Sequence, residues 1–282
     1  MTYPHRPVMV REVLEHLVTE RDGIYIDGTV GTAGHSEAIV KLLSEKGRLI
    51  CLDRDLEAVE ISKKRLSNWK ERVAVYHANY GALKQVLRDA GIDKVQGVLL
   101  DLGMSSFQLD QSGRGFSFNR DEPLDMRMDR NSEITADHLI NELPQEALVD
   151  ILKTFGEEKR AKSIVRSIIN ERSKGPLKSS LQLANLIQSL YPLSGRPGAR
   201  HPATKTFQAL RIAVNREIDN LKDILDDAPS IIDKGGRLVV LSYHSLEDRI
   251  VKHTMAQWEK GCICPPDLPK CVSATLRATE RI

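Results

Sequence analysis

The chain has 282 residues and a formal net charge of +2, and hydrophobic residues make up 41% of it. This length and apolar content predict one folded domain with an insertion, or two domains, and exclude a disordered chain. Four cysteines in so long a chain exclude a disulfide scaffold. No run of 18 apolar residues occurs, and the N-terminus lacks the apolar core of a signal peptide. We therefore expect no membrane span and a cytoplasmic location.

Short apolar runs alternate with helical periodicities over the first hundred residues. The apolar runs cover 24–26, 48–52, 73–76 and 95–100, and the helical patterns cover 8–18, 36–43, 56–66 and 80–90. Runs that are apolar throughout are typical of strands buried on both faces. The alternation predicts an α/β fold with a mostly parallel sheet and helices on both of its faces.

This rhythm stops after residue 105 and resumes near the end of the chain. The next elements are all predicted helices, at 135–141, 145–154, 157–172 and 180–190, followed by a breaker-rich loop at 195–202. One long helix from Thr204 to Ala228 and a fifth strand at 237–242 come after it. We therefore expect an inserted helical domain over 107–203, between a first sheet part at 1–106 and a second at 204–282.

Basic charge is concentrated in and just after this insertion. Residues 153–216 hold 13 Lys/Arg and 3 Asp/Glu, a local charge of +10, which leaves 28 basic and 36 acidic residues elsewhere, or −8. Clustered Lys/Arg side chains displace counterions from a nucleic acid, although a solvated helical surface is the alternative. On the first interpretation, the phosphates of a nucleic acid would be bound by Lys159, Arg160, Lys162, Arg166, Lys205 and Arg211.

A glycine-rich turn, Asp27-Gly-Thr-Val-Gly-Thr-Ala-Gly-His35, follows the first predicted strand. Glycines let backbone N–H groups approach a nucleotide-like ligand. The three-residue spacing of these glycines differs from G-x-G-x-x-G, the dinucleotide fingerprint. Asp27 would also repel a pyrophosphate at the start of the helix. S-adenosylmethionine has no phosphate and carries a sulfonium and an ammonium, so the turn favours that cofactor, with Gly31 close to it.

Other polar side chains follow the remaining strands, at the edge of an open α/β sheet where ligands bind. Asp53 is placed to accept both ribose hydroxyls, Tyr80 to flank the adenine, and Asp101 to lie near the sulfonium. Each strand-end aspartate taken alone is equally consistent with a helix N-cap. Three of them in register with three glycines favour a cofactor site.

Seven segments stand in the order and spacing of a known family. They are Asp27-Gly-Thr-Val-Gly-Thr-Ala-Gly-His35, Leu52-Asp-Arg-Asp55, Asp101-Leu-Gly-Met-Ser-Ser106, Arg114-Gly-Phe-Ser-Phe118, Leu124-Asp-Met-Arg-Met-Asp129, Ala203-Thr-Lys-Thr-Phe-Gln-Ala-Leu-Arg211 and Ser242-Tyr-His-Ser-Leu-Glu-Asp-Arg249. From residue 5 to about 271 the chain resembles the bacterial 16S rRNA (cytosine-N4)-methyltransferases, the RsmH/MraW family.

This resemblance implies a Rossmann-like class I methyltransferase whose sheet is interrupted by an inserted helical domain. It also implies methylation of the N4 amine of one cytidine in 16S rRNA, near the ribosomal P site, with the small ribosomal subunit as partner. Family members usually carry a longer segment where Val272 meets Ser273 in this chain. Matched residue by residue, the family's cofactor contacts fall on Ala33, Gly34, His35, Asp53, Tyr80, Asp101 and Gln108.

The target amine needs help, because its lone pair is delocalised into the cytosine ring. We expect Asp101, or backbone carbonyls beside it, to accept a hydrogen bond from the amine, and Ser105 and Ser106 to hold the base edge. His244 follows the fifth strand and is our candidate for proton transfer or base contact. A packed or capping histidine is the alternative, and Ser245 with Asp248 has the spacing of a capping box.

Aromatic residues and cysteines lead to two further expectations. A flipped base needs an aromatic or apolar wall, for which Phe107, Phe116 and Phe118 are candidates, with core packing as the alternative. A closed zinc site usually has four ligands. Because Cys262, Cys264 and Cys271 are only three, we expect a loop of free thiols and no metal, with a bound metal as the alternative.

Three other functions remain open from the residues. An NAD(P)-dependent oxidoreductase would share the fold, but the glycine spacing and Asp27 disfavour it. A non-catalytic RNA-binding assembly factor would suit the basic insertion but would not need the strand-end carboxylates. A methyltransferase acting on DNA or on protein amines is disfavoured by the family resemblance. Oligomeric state cannot be predicted from these patterns.

Overall fold

The computed structural model describes residues 7–105, 108–109, 112–191 and 201–259. Contacts divide the chain into two compact units. The first, which we call the sheet unit, comprises Met1–Gly103 and Ile218–Ile282; the second, the helical unit, comprises Met104–Glu217. No helix among the described residues is long and apolar enough to cross a membrane.

Five parallel strands form the sheet unit, in the order β3-β2-β1-β4-β5. They are β1 (Ile24–Asp27), β2 (Arg48–Asp53), β3 (Val73–His77), β4 (Val95–Asp101) and β5 (Ile232–Leu241). Its helices are α1 (Val10–Leu17), α2 (Gly34–Leu42), α3 (Leu56–Arg65), α4 (Leu83–Asp89), α10 (Glu217–Ile231) and α11 (Ser245–Glu259). The predicted five strands and the Rossmann-like α/β fold are confirmed.

Adjacent residues of each inner strand enter two different hydrophobic cores. Tyr25, Leu49 and Leu99 pack with side chains of α1 and α2. Their chain neighbours Ile26, Ile50, Val98 and Leu100 pack with side chains of α4 and α10. Because successive side chains of a strand point to opposite faces, both faces of the sheet are covered.

Strand order reverses at β1. The chain moves outward from β1 through β2 to β3, and then crosses to the other side of β1 for β4 and β5. Such a reversal leaves a crevice beyond the carboxyl ends of the two strands that flank it. Asp27 ends β1 and Asp101 ends β4, so the two aspartates lie at the edge of this crevice.

The helical unit has a hydrophobic core of its own. Its helices are α5 (Ala136–Glu142), α6 (Gln145–Gly156), α7 (Ala161–Arg172), α8 (Ser180–Gln188) and α9 (Thr204–Asn215). Buried side chains from all five meet in one cluster, which includes Ile140, Leu148, Ile164, Leu183 and Phe207. The insertion therefore buries the apolar faces of its five helices against one another, and among its described residues no strand contributes to this core.

The contacts move both predicted boundaries of the insertion, from 106/107 to 103/104 and from 203/204 to 217/218. The second change is the larger, because α9 packs along α6 and buries Phe207 and Leu210 in the helical unit. The prediction of one helix from Thr204 to Ala228 was wrong. Arg216 takes a left-handed conformation (φ 48°) and separates α9 from α10. A single such residue leaves the apolar periodicity almost unbroken, so the sequence pattern did not reveal it.

Candidate active site

Asp27 braces the glycine turn from inside the sheet unit. Its side chain is buried; Oδ2 accepts from the Ser36 hydroxyl at 2.5 Å and Oδ1 from the Thr29 N–H at 3.2 Å. Burial raises the pKa of Asp27 above its ordinary value, while the Ser36 hydroxyl and the nearby His35 work in the opposite direction. Both carboxylate oxygens of Asp27 therefore hold the turn in place. The cofactor role predicted for Asp27 would then be electrostatic attraction, not a direct hydrogen bond.

Close approach explains the first glycine of the turn. A Cβ at Gly28 would lie 2.7 Å from Leu100 Cδ2 and 3.1 Å from Tyr80 Cβ. Gly31 has a φ of 50°, and its N–H donates to Asp53 Oδ2 at 2.8 Å. The turn is thus pressed onto β4 and tied to the end of β2, which places its backbone at the sheet edge.

Ala33 occupies a left-handed conformation (φ 63°) at the N-cap of α2. This conformation costs a non-glycine residue about 1–2 kcal/mol. Arg65 of α3 supports the strained turn, because its NH1 donates to the Thr32 carbonyl at 2.8 Å and its Nε donates to Glu37 at 2.7 Å. The sequence did not point to Arg65, since the contact joins residues 33 positions apart.

His35 lies buried at the start of α2 with no hydrogen-bond partner for either ring nitrogen among the described residues. Its Nε2 is 3.4 Å from Asp101 Oδ2, without the geometry of a hydrogen bond. Buried polar atoms are rarely left unpaired in native proteins. At Gly34, an added Cβ would meet the ring of Pro7 at 2.9 Å. The start of α2 therefore offers buried polar atoms suited to a polar ligand.

Asp53 ends β2 with one oxygen facing each of two backbone donors. Oδ2 accepts from Gly31 and Oδ1 accepts from the Asp55 N–H at 2.9 Å. Burial raises the pKa of Asp53 to about 6, although both hydrogen bonds act to lower it. Tyr80 begins a 3₁₀ turn, Tyr80–Ala82, after β3 and is half-buried. Both residues lie at the strand ends where the sequence predicted them.

Asp101 is held at the end of β4 by two neighbours. Its N–H donates to Thr29 Oγ1 at 2.7 Å, and its Oδ1 accepts from the Tyr243 hydroxyl at 2.7 Å. Tyr243 was absent from the predicted site. It follows β5, and the pairing of Asp101 with Leu241 brings it beside the carboxylate. The sequence contained the aromatic residue, but only the sheet order could place it there.

His244 caps helix α11, which was the alternative to the predicted proton transfer or base contact. Its Nδ1 accepts from the Glu247 N–H at 3.3 Å, and its Nε2 lies 3.1 Å from Glu247 Oε1. The buried Glu247 returns a bond, since its Oε2 accepts from the Tyr243 N–H at 3.2 Å. His244 and Glu247 therefore cap α11, next to the Ser245 and Asp248 of the predicted capping box. Nδ1 is therefore used by the cap, whereas Nε2 is buried and has no hydrogen-bond partner among the described residues. The contacts favour the capping role, and proton transfer by His244 stays a prediction.

Ser105 and Gln108 satisfy each other at the beginning of the helical unit. The Ser105 N–H donates to Gln108 Oε1 at 3.1 Å, and the Gln108 N–H donates to Ser105 Oγ at 3.2 Å. This reciprocal pair is the pattern of a capping box. It gives Ser105 a structural role besides the predicted contact with the base. Ser106 and Phe107 lie outside the described residues.

The other two candidates for an aromatic wall, Phe116 and Phe118, belong to or pack against the core of the helical unit. Phe116 is buried in its core. Phe118 stacks on His201 with ring centroids 4.5 Å apart and meets Phe207 edge-on at 5.4 Å. Core packing is thus favoured for Phe116, while Phe118 packs against the core and is partly exposed, so its place in the wall of a base pocket stays a prediction.

Three of the six predicted phosphate-binding side chains form an exposed row. Lys162 and Arg166 are four residues apart on α7, so they share one face, and Lys159 precedes them. Arg160 is exposed and lies over the Tyr191 ring, 4.6 Å from its centroid. Lys205 is also exposed and donates to the Glu157 carbonyl at 2.9 Å. These five cations remain accessible to an anionic partner.

Arg211 corrects the sixth assignment. Its Nε and NH2 donate to the two carboxylate oxygens of Glu217, both at 2.8 Å, and the two side chains are 12% and 7% exposed. A bidentate, nearly buried pair neutralises the guanidinium within the helical unit. The structure therefore disfavours Arg211 as a phosphate-binding residue. The predicted thiol loop of Cys262, Cys264 and Cys271 and the Val272–Ser273 junction lie outside the described residues.

Comparison with known proteins assigns a family. The model of the MraW methylase family matches residues 2–282. Ribosomal RNA small subunit methyltransferase H of Halothermothrix orenii is 44% identical over 268 residues, which cover 95% of this chain and 86% of that protein. The protein of the same name from Geobacter sulfurreducens is 46% identical over 272 residues, with 96% and 88% covered.

Solved structures show weaker likeness. A Clostridium thermocellum protein provisionally described as an rRNA-methylase aligns with a TM-score of 0.41 and 13% identity, over 93% of this chain and 85% of that one. An S-adenosylmethionine-dependent O-methyltransferase of Thermotoga maritima aligns with a TM-score of 0.30 and 16% identity, over 36% and 37%. These scores are too low to carry an argument about function.

Proposed function

Because this chain belongs to the MraW methylase family, we propose that it transfers a methyl group from S-adenosylmethionine to ribosomal RNA of the small subunit. The observation that carries the proposal is its identity of about 45%, over 95% of the chain, with proteins named for that activity. The sheet unit supports the proposal with carboxylates beside the strand reversal and with the His35 ring, whose nitrogens have no hydrogen-bond partner among the described residues. A cytoplasmic location and a substrate within the small subunit stay predictions.

The polar side chains of the sheet unit fit S-adenosylmethionine. Asp53 supplies carboxylate oxygens for the two ribose hydroxyls, and its ordering by Gly31 and Asp55 presets them. Asp27 and Asp101 supply negative charge for the ammonium and the sulfonium. Gly28 and Gly34 let the turn pack closely, because a Cβ at Gly28 would lie 2.7 Å from Leu100 and one at Gly34 would lie 2.9 Å from Pro7. When bound, the cofactor would supply an electrophilic methyl group on its cationic sulfur.

The finer part of the proposal is the N4 amine of a cytidine near the ribosomal P site, which rests on the family resemblance. This amine becomes nucleophilic only as its lone pair leaves the ring, and an acceptor for its N–H assists that change. Asp101 provides such an acceptor at the edge of the crevice. Most of the rate enhancement would come from holding the reacting atoms in line. The hydrogen bond from the Asp101 N–H to Thr29 Oγ1 would contribute by fixing the backbone of Asp101.

Binding of RNA is assigned to the helical unit. Lys159, Lys162 and Arg166 are exposed on α7 and the loop before it, and among the described residues they form no ion pair. Arg160 and Lys205 add two accessible cations. Such side chains bind phosphates without reading sequence, so they would fix the position of the RNA while other groups select the base.

The test is methylation of isolated 30S particles, free 16S rRNA and DNA, with the modified nucleoside identified by mass. We expect N4-methylcytidine in the small-subunit RNA. Methylation of DNA alone would overturn the RNA substrate, and methyl transfer to another atom would overturn the N4 assignment. Thermal stabilisation by NAD in place of S-adenosylmethionine would support an oxidoreductase, and RNA binding without transfer would support a non-catalytic assembly factor.

A further inference from the structure

Tyr243 is the most exposed of the large hydrophobic residues in the described part of the chain, with 57% of its surface accessible. Its hydroxyl is nevertheless fixed, because it donates to Asp101 Oδ1 at 2.7 Å. An open ring with an anchored tip differs from an ordinary surface tyrosine, whose side chain is free to move. The combination places a rigid aromatic face beside a carboxylate at the end of β4.

The backbone under Tyr243 is also fixed. Its N–H donates to the buried Glu247 Oε2 at 3.2 Å, and the His244 ring lies against the same carboxylate. On one side of the ring, Gly103 takes a φ of 100°, and a Cβ there would lie 3.4 Å from Tyr243 Cδ2. Gly103 therefore lies against the ring without a side chain of its own.

The hydroxyl keeps its proton and donates it to Asp101. Although much of the side chain is exposed, partial desolvation raises the pKa of Tyr243 above its ordinary value, and the hydrogen bond to Asp101 adds to the effect. The bond occupies one lone pair of Oδ1 and leaves the other, together with Oδ2, to accept from a second donor. The tyrosine thus orients the carboxylate without neutralising it.

From this geometry we propose that Tyr243 is a positioning residue for methyl transfer: its hydroxyl orients Asp101 toward the substrate amine, and its exposed ring stacks on the target base. The inference rests on the proposed function, because it assumes a planar base as substrate. Stacking of a base on an aromatic side chain changes affinity by roughly fivefold to 160-fold on substitution, which corresponds to about 1–3 kcal/mol.

Two substitutions separate the roles of hydroxyl and ring. Tyr243→Phe removes only the hydroxyl, and we expect kcat to fall about tenfold while KM for the RNA changes less than twofold. Tyr243→Leu removes the ring as well, and we expect the same loss in kcat together with at least a fivefold rise in KM for the RNA. Tyr243→Trp should restore KM but not kcat. Tyr76→Phe, at an exposed tyrosine of β3, serves as the matched control and should leave both constants unchanged.

Calorimetric binding of S-adenosylmethionine checks that each variant is folded, and its Kd should stay within twofold of wild type. Unchanged kcat in Tyr243→Phe would overturn the orienting role, and equal KM values for the Phe and Leu variants would overturn stacking. If the wild-type protein transfers no methyl group, the proposed function fails instead. The affinities of wild type and Tyr243→Leu for a cytidine-containing RNA strand then decide the stacking role, and equal affinities would end it.

Discussion

The acidic residues of the sheet unit and the basic residues of the helical unit use charge in different ways. Asp27, Asp53 and Asp101 each accept defined hydrogen bonds at a strand end, so the fold fixes the positions of their carboxylates. Lys159, Lys162 and Arg166 project from one surface without such bonds. The carboxylates can therefore contact a ligand in a defined geometry, whereas the exposed cations can attract an anionic partner from a distance.

This contrast teaches which charges a sequence can place. A carboxylate at the end of a parallel strand can go to only one edge of the sheet, so strand prediction locates it. A basic side chain in a helical segment can face solvent, a phosphate or an internal acid. Arg211 took the last of these and pairs with Glu217, although composition grouped it with the surface cations.

The largest expected effect is on Asp101. We expect Asp101→Asn to lower kcat about a hundredfold or more, because the amide cannot supply the negative acceptor for the amine. The far-UV circular dichroism spectrum and the midpoint of urea unfolding, which should match those of wild type, are the control for folding. Retention of kcat to within a few-fold would mean that backbone carbonyls beside Asp101 carry the acceptor role.

Arg211→Gln tests the internal pair. Loss of both hydrogen bonds to a nearly buried carboxylate should lower the free energy of unfolding by about 3 kcal/mol. Urea titration followed by circular dichroism measures this change. Arg166→Gln is the matched control, since its exposed side chain should contribute within about 0.5 kcal/mol. Stability unchanged by Arg211→Gln, with weakened RNA binding, would return Arg211 to the phosphate-binding set.

Triple replacement of Lys159, Lys162 and Arg166 by Gln tests the exposed row. We expect affinity for 16S rRNA to fall on the order of tenfold to a hundredfold, and the slope of log K against log salt to decrease by about 2. Replacing Lys63, Lys64 and Lys70, three exposed lysines of the sheet unit, removes the same charge elsewhere. A similar loss from both triple variants would indicate a general charge effect instead of a phosphate-binding surface.

Protonation of Asp53 should weaken cofactor binding. The ribose hydroxyls need the ionised carboxylate, whose pKa is raised to about 6 by burial. Affinity should therefore be full above that pH and fall below it, by about tenfold at pH 5, where about a tenth of the carboxylate remains ionised. Calorimetric titration from pH 8 to 5 measures this, and Asp53→Asn should bind weakly with little pH dependence. A flat profile in the wild type would exclude Asp53 as the group that titrates.

The smallest expected effect is at His244. Asn is a strong N-cap residue, so His244→Asn should keep α11 capped and leave kcat within about twofold of wild type. His244→Ala removes both the imidazole and the cap. It should lower the free energy of unfolding by about 1 kcal/mol and again change kcat little. A large loss of kcat in the Asn variant would restore His244 as a proton-transfer group.

Several features followed from the sequence alone. The five parallel strands, the glycine turn from Asp27 to His35 and the strand-end positions of Asp53 and Asp101 were all predicted, because they depend on residues adjacent in the chain. Apolar runs, glycine spacing and the residue that ends each strand are local signals. The family resemblance added a methylase assignment that the family match bears out.

Tertiary structure decided the rest. Tyr243 reaches Asp101 across 142 positions, Arg65 braces Thr32 across 33, and α9 joins the helical unit through its packing on α6. Such contacts depend on the order of the strands and on which helices share a core, which no local periodicity encodes. The sequence determined which side chains end each strand, and the fold determined which of them meet, because pairing between strands is a property of the folded sheet.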